Sequence, residues 1–139
     1  MNNILVAYDG SKLSKQALQE AMNRADENPE TEIHVVTVVN PTGPFTNKTI
    51  YKSIEDELRK DSKVELAKLV EQFKREDQHI ETEVLTGNPG AQICKYAKNN
   101  DITLIMIGSR GLRNVKELFL GSVSHNVVQH AHCPVLIFK

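Results

Sequence analysis

Short apolar runs rich in Val, Ile and Leu alternate with segments of helical periodicity, and this alternation constrains the fold more than any other feature. Runs that are apolar on both faces are typical of parallel strands covered by helices on both sides. Charged residues alternate with apolar ones in the third run, which indicates a half-exposed edge strand. The pattern predicts an α/β chain built of parallel βα units. The expected strands are Ile4–Tyr8, Glu32–Val39, Ile80–Thr86, Ile102–Ile107 and Pro134–Phe138.

Four helices are expected between these strands. Ser11 is the expected N-cap of the first helix, and Asn88 caps the third with Pro89 at the first helical position. The second helix is long and charged, from about Ser53 to Arg75, after an irregular Asn-Pro-Thr-Gly-Pro stretch at residues 40–44. Its expected buried stripe is Ile54, Leu58, Leu66, Leu69, Val70 and Phe73.

A glycine motif follows the fourth expected strand. Gly108-Ser109-Arg110-Gly111 is separated by nine residues from Gly121-Ser122-Val123-Ser124, which gives the pattern G-x2-G-x9-G-S. Glycine has no Cβ, so backbone N–H groups can face inward and a bulky anion can approach them. A helix that opens at Gly121-Ser122 adds unpaired N–H donors and the positive end of its dipole. The motif predicts a phosphate site, the alternative being three ordinary turn glycines.

With this motif, the whole chain resembles the ATP-binding branch of the universal stress protein family. The opening Ile4-Leu5-Val6-Ala7-Tyr8-Asp9-Gly10-Ser11 is similar to the family's first strand and acidic turn, and His132–Ile137 to its last strand. The resemblance runs from residue 4 to the C-terminus and is weak at about residues 40–78. It implies an open five-stranded parallel sheet in the order 3-2-1-4-5 with helices on both faces, an adenine nucleotide alpha hydrolase-like, Rossmann-like fold. We expect residues 1–139 to form one domain.

The resemblance also implies a site for ATP, with Mg²⁺ accompanying the phosphates. Residues that match the family's motif surround the phosphates at Gly111 and Gly121–Val123, whereas Gly108 touches the ribose. Asp9 is expected beside the adenosine, and ligands in such sheets bind where the winding reverses. The expected binding residues are Ala7, Tyr8, Asp9, Val38, Ile107, Gly108, Arg110, Gly111, Gly121, Ser122, Val123 and Ser124.

Several of these residues have a plain structural alternative. Asp9 could instead serve as a turn residue at the strand end, and Ser122 is also suited to an N-cap, a role compatible with phosphate binding. Tyr8 departs from the family, where this position often holds a small residue, so its ring is expected to narrow the ribose pocket or to stack in it. Of the cations Arg110, Arg113 and Lys116, we expect one to assist the phosphates and the others to be solvated.

The numbers of charged residues and cysteines limit the partners and the location that we expect. The chain has 17 basic and 18 acidic residues with no like-charged block, so neither nucleic acid nor a membrane surface is expected as its partner. His130, His132 and Cys133 are expected on different faces, so we predict no metal site. Two cysteines without a framework spacing, and an N-terminus without a basic segment, predict a cytoplasmic protein.

The sequence favours a nucleotide-dependent regulatory protein of the stress response over an efficient enzyme. It contains no G-x4-G-K-[ST] P-loop, and Asp9 is expected far from the γ-phosphate, so any ATP hydrolysis should be slow. An ATP-dependent adenylating enzyme and a nucleotide-free interaction module remain as alternatives. The apolar strand Pro134–Phe138 is expected at the sheet edge, where antiparallel pairing with its own copy predicts a homodimer. Members of the family often dimerise in this way.

Overall fold

The elements alternate between strand and helix along the chain, as the sequence predicts. The computed structural model describes residues 2–41, 47–111 and 121–139. Within these ranges the elements are β1 (Asn3–Ala7), α1 (Lys12–Glu27), β2 (Glu32–Val39), α2 (Lys48–Phe73), β3 (Ile80–Thr86), α3 (Pro89–Asn99), β4 (Leu104–Gly108), α4 (Ser122–His130) and β5 (Val135–Phe138).

One parallel sheet has the order β3-β2-β1-β4-β5, which confirms the expected topology. In the register, Ile4 of β1 lies opposite Ile33 of β2 on one side and Leu104 of β4 on the other. The winding reverses between β1 and β4, so the loops after these two strands diverge to opposite faces and leave a crevice between them. Asp9 follows β1, and the first half of the glycine motif begins at the last residue of β4.

The sheet buries an apolar layer on each face. Successive side chains of a strand point to opposite faces. Ile4 and Val6 therefore join the layer with α1 and α2, whereas Leu5 and Ala7 join the layer with α3 and α4. No helix in the described ranges is long and apolar enough to cross a membrane.

Polar side chains cap the first three helices. The Ser11 hydroxyl accepts a hydrogen bond from the Ser14 N–H at 3.2 Å, and the Asn88 side chain accepts from Ala91 N–H at 3.0 Å, which confirms both expected caps. Helix α2 begins five residues earlier than expected because Asn47 caps it, accepting from Thr49 N–H at 2.7 Å. Residues 42–44 of the expected irregular stretch lie outside the described residues.

The buried stripe of α2 is shorter than expected. Leu66 and Leu69 are buried, but Leu58 is 39% exposed. The helix has 26 residues and is about 39 Å long, whereas its neighbour β3 has seven residues and spans about 23 Å. Because the helix is longer than the sheet it covers, its N-terminal half has little to pack against.

Strand β4 starts two residues later than expected and extends one residue further. Ile102 is buried, but its N–H donates to the Ala97 carbonyl at 3.0 Å and so belongs to the turn that closes α3. Gly108 is the last residue of the strand. The glycine motif therefore begins inside the sheet.

Candidate functional site

A cavity of about 390 Å³ opens at the carboxyl ends of β1 and β4, within the size range of small-molecule sites. All twelve residues that the sequence analysis proposes for binding border it, so the structure brings the two loops and the start of α4 together. Five further residues line the cavity that the sequence analysis did not propose: Ser11, Ser14, Val36, Pro89 and Ile93.

One wall of the cavity is apolar and belongs to the α3 and α4 face of the sheet. Val36 and Val38 point to this face because they are two residues apart on β2. Ile107 of β4 and Ile93 of α3 complete the wall. The same alternation on β2, applied from Val38, would have indicated Val36, and the inner face of α3 would have indicated Ile93.

The carbonyl of Ser109 connects the two halves of the glycine motif. This buried oxygen accepts from Gly121 N–H at 2.6 Å and lies 3.0 Å from the Ser124 hydroxyl, which donates to it. The N–H of Ser109 in turn donates to the Phe138 carbonyl at 2.7 Å. These bonds hold the start of α4 against the end of β4. Because the Ser124 hydroxyl donates to Ser109, it is not available to a ligand, and Ser124 can contact a ligand through its backbone N–H.

Helix α4 opens into the cavity, and no side chain of the described residues caps it. Its N-cap is Gly121 rather than Ser122, which is the first helical residue, so the plain N-cap interpretation of Ser122 is wrong. The first hydrogen bond of the helix runs from His125 N–H to the Gly121 carbonyl. The N–H groups of residues 122–124 have no partner among the described residues. Together with the helix dipole they attract an anion.

Space rather than backbone conformation favours the three motif glycines: a Cβ has no room at Gly108 and Gly111, and would be tight at Gly121. None of them has a positive φ among the described residues. A Cβ at Gly111 would lie 2.6 Å from the Asp9 carboxylate, and one at Gly108 would lie 2.8 Å from the Leu13 Cβ. At Gly121 it would lie 3.1 Å from the Ser109 carbonyl oxygen. The glycines thus allow residues 108–111 to pack closely against the end of β1, the start of α1 and the start of α4.

Asp9 combines the turn role with an exposed carboxylate at the cavity. Its Oδ1 accepts from Ser11 N–H at 2.9 Å, which fixes the side chain at the end of β1. Its Oδ2 is the atom that lies next to Gly111. A carboxylate held in this way is a suitable acceptor for ligand hydroxyl groups.

Of the two roles expected of Tyr8, narrowing the ribose pocket or stacking in it, stacking does not fit the position of its ring. Tyr8 borders the cavity, but its side chain is 5% exposed and belongs to the apolar layer with α1 and α2, on the opposite face from the apolar wall. Strand alternation is the reason, because Val6 and Tyr8 share that face. Burial, followed by the negative charges of Glu65 and Asp9, raises the pKa of Tyr8. Its phenol is therefore neutral at physiological pH.

The charges around the cavity are few. Arg110 lines it and forms no ion pair with any described residue. Arg113 and Lys116, the other two cations of the expected phosphate loop, lie outside the described residues. Asp9 is the one carboxylate among the described residues of the lining. No group of three or more His, Cys, Asp or Glu side chains that could hold a metal occurs in residues 2–41, 47–111 and 121–139.

The sequence analysis missed a buried polar pair, His34 and Tyr96, on the α3 and α4 face of the sheet. His34 of β2 is 4% exposed, and its Nδ1 lies 2.8 Å from the Tyr96 hydroxyl of α3. The Nε2 of His34 has no hydrogen-bond partner among residues 2–41, 47–111 and 121–139 and lies 3.6 Å from the Glu32 carboxylate. Burial, and then the charges of Glu83 and Glu81, raise the pKa of Tyr96 to about 12. The polar side chain in an otherwise apolar run was the available signal.

Comparison with known proteins gives one consistent family. The sequence model of the universal stress protein family matches residues 1–139. Universal stress protein YxiE of Bacillus subtilis is 36% identical, with 99% of each chain covered. Universal stress protein UspA from Lactobacillus plantarum superposes with a TM-score of 0.88 at 26% identity, covering 99% of this chain and 97% of that one.

A more distant structure holds a nucleotide. It is the universal stress protein from Archaeoglobus fulgidus in complex with dAMP, which has a TM-score of 0.67 at 24% identity, with 100% of this chain and 98% of that chain covered. At this level of identity the likeness shows a shared fold.

Proposed function

The chain belongs to the universal stress protein family, and on that premise we propose that it binds ATP in the cavity between β1 and β4 as a nucleotide-dependent regulatory protein of the stress response. The observation that carries the proposal is the combination of two surfaces in one cavity. An apolar wall suits a nucleobase, and the N–H groups at the start of α4, which have no partner among the described residues, suit phosphate. The A. fulgidus complex with dAMP supports the proposal at the level of the fold alone.

Each part of the nucleotide has a matching set of residues. The base lies against Val36, Val38 and Ile107, and the ribose hydroxyls donate to the Asp9 carboxylate. The phosphates lie between the backbone of Gly111 and the N–H groups at the start of α4, where the exposed Ser122 hydroxyl is available to donate.

Mg²⁺ enters this site with the phosphates. Magnesium is usually held by one or two carboxylates together with phosphate oxygens, and it keeps several waters. The described lining offers a single carboxylate, Asp9, which is too few for a preformed metal centre but compatible with a metal that arrives bound to ATP. When bound, Mg²⁺ neutralises part of the phosphate charge.

Hydrolysis of the bound nucleotide should be slow. A general base must lie within hydrogen-bonding reach of the attacking water. The described lining contains no histidine, and its one carboxylate, Asp9, is held by Ser11 N–H and is assigned above to the ribose hydroxyls. The nucleotide therefore acts as a bound regulator.

The free cysteines Cys94 and Cys133 agree with a reducing, cytoplasmic location.

The direct test is to identify the nucleotide that the protein carries. Protein purified without added nucleotide is denatured, and the released small molecules are separated by chromatography and identified by mass spectrometry. An adenine nucleotide in an amount comparable to the protein is expected from the wild type and not from Gly121→Val. Protein that releases none and binds none when ATP is added back would contradict the proposal.

We further propose that the protein forms a homodimer through β5. The strand lies at the sheet edge, with all four side chains half-buried. The carbonyls of Pro134 and Phe138 accept from Ile105 and Ser109 of the chain itself. Alternation along β5 therefore directs the backbone groups of Val135 and Ile137 to the free edge, where a second copy supplies their partners.

A further inference from the structure

Thr37 carries the single side-chain hydroxyl of strand β2. Threonine is an ordinary strand residue, so the partner of its hydroxyl is more informative than its presence. Alternation along β2 places Thr37 on the face of the sheet with α1 and α2, between Val35 and Val39. Its hydroxyl donates to the Tyr8 carbonyl at 2.8 Å. Thr37 is not among the described residues that line the nucleotide cavity, so a role in binding must be indirect.

The bond to Thr37 attaches the end of β1 to β2 beyond their last paired residues. The register ends at Ala7 opposite Val36, and the Tyr8 N–H still donates to the Val36 carbonyl at 2.9 Å. The chain then leaves the sheet. The Tyr8 carbonyl therefore has a side-chain hydroxyl as its partner at the point where the backbone ladder between the two strands ends.

The carbonyl that Thr37 holds belongs to the peptide group that carries Asp9. A peptide group is planar, so fixing the Tyr8 oxygen also fixes the direction in which the Asp9 Cα leaves the strand. The Asp9 carboxylate packs directly against Gly111, because its Oδ2 lies 2.6 Å from the place that a Cβ would take there. A small rotation of this peptide group would therefore change which atoms the carboxylate faces.

We propose that Thr37 is a positioning residue for ribose recognition, because its bond to Tyr8 sets the Asp9 carboxylate in the cavity. The inference rests on the proposed function, in which the ribose hydroxyls donate to that carboxylate. Two hydrogen bonds then hold Asp9. Thr37 acts on the peptide group before it, and the Ser11 N–H acts on its side chain. The consequence is selectivity for the sugar, since Thr37 contributes to the affinity only for nucleotides that have ribose hydroxyls.

The test compares the dissociation constants of ATP and of 2′,3′-dideoxy-ATP, which lacks both ribose hydroxyls, by calorimetry. Wild-type protein is expected to bind ATP about tenfold more tightly, because hydrogen bonds to a carboxylate are strong. Thr37→Val keeps the branched shape and removes the hydroxyl, so ATP binding should weaken about three- to tenfold while dideoxy-ATP binding stays unchanged. Thr37→Ala should show the same selective loss. Thr37→Ser retains a hydroxyl and should bind ATP nearly as well as the wild type.

Two controls separate positioning from a general effect on the fold. Thr82→Val removes a hydroxyl from the same face of the neighbouring strand β3, where Thr82 lies opposite Val35, and should leave both affinities unchanged. In an Asp9→Asn background, Thr37→Val should have little further effect on ATP binding, because Asp9 transmits the effect. Circular dichroism checks that each variant is folded.

The outcomes separate this inference from the proposed function. Equal weakening of ATP and dideoxy-ATP by Thr37→Val, or no weakening of either, would overturn the inference and leave the nucleotide site intact. An undiminished effect of Thr37→Val in the Asp9→Asn background would do the same. Equal affinity of the wild type for the two nucleotides would overturn the contact between Asp9 and the ribose, and this inference with it. Failure of the wild type to bind either nucleotide would overturn the proposed function as well.

Discussion

At the scale of single residues, the site depends on atoms that the sequence did not reveal. The glycine spacing predicts a phosphate loop. This motif can be identified from the sequence because it is defined by residue types at fixed intervals. Yet the carbonyl of Ser109, which holds the two halves of the motif together, is a backbone group available in any residue. Its role depends on the tertiary contact between β4 and α4, so no local sequence pattern indicates it.

Gly121→Val is expected to remove nucleotide binding while the protein stays folded. A Cβ would lie 3.1 Å from the Ser109 carbonyl oxygen, and the γ-carbons would occupy the space at the start of α4. We expect ATP affinity to fall by more than about tenfold, with a cost of about 1–3 kcal/mol in stability for the crowding. Calorimetry measures the affinity and circular dichroism checks the fold. Gln129→Val, on the exposed side of the same helix, is the control. Unchanged ATP affinity in a folded Gly121→Val protein would refute the role of the motif.

The raised pKa of Tyr96 predicts that the folded protein loses stability at alkaline pH. Its pKa is about 12 in the folded protein and about 10 in an unfolded chain. Because the folded-state pKa is raised, the stability from the neutral phenol is fully present below pH 10. It is lost as pH rises toward 12, since the unfolded chain ionises first.

The measurement is urea denaturation of the wild type and Tyr96→Phe between about pH 9 and 11. Below pH 10 the variant should be less stable by about 1 kcal/mol, because the hydrogen bond to His34 is lost. This difference should shrink as pH rises, because Phe does not ionise. Parallel pH profiles for the two proteins would show that folding does not raise the pKa of Tyr96 and would contradict this prediction.

At the scale of elements, caps and strands were easier to predict than the burial of a long helix. Ser11 and Asn88 cap α1 and α3 through local hydrogen bonds to the next turn, which sequence spacing encodes. The apolar stripe of α2 was assigned by periodicity, which indicates a face but not what covers it. The sheet ends before the helix does, so Leu58 is exposed although it fits the period.

Two alanine substitutions on α2 test this account of its packing. Leu66 is 2% exposed, so Leu66→Ala should lower the free energy of unfolding by about 2–5 kcal/mol. Leu58 is 39% exposed, so Leu58→Ala should cost less than about 1 kcal/mol. Urea denaturation monitored by circular dichroism gives both values. Equal losses for the two variants would mean that the N-terminal half of α2 packs against something further, such as another chain.

At the scale of the whole molecule, the α/β class followed from the alternation of elements, but the strand order was implied by the family resemblance. Periodicity shows that β1 and β4 are buried and says nothing of which strands are neighbours. The register that places Asp9 opposite the glycine motif is a property of the assembled sheet. The family resemblance, which carries the strand order, supplied the twelve proposed residues that border the cavity, whereas no pattern in the chain indicated Pro89.

The proposed dimer is also a prediction at this scale. Sedimentation equilibrium at micromolar concentrations should give about twice 15.6 kDa for the wild type. Ile137→Pro should shift the mass toward the monomer, because it removes a backbone donor from the free edge of β5. Ile137→Ala keeps that N–H and controls for the shortened side chain. A wild-type protein that sediments as a monomer at high micromolar concentration would contradict the pairing of β5.

The most direct test of the central claim is a thermal titration of dialysed wild-type protein with Mg²⁺–ATP. A ligand at one hundred times its dissociation constant stabilises the folded state by about 2.7 kcal/mol. For a domain of this size that corresponds to a rise in melting temperature of roughly 10 °C. The account predicts this rise for the wild type and for Gln129→Val, and none for Gly121→Val. A melting temperature of the wild type that stays constant up to millimolar ATP would contradict it.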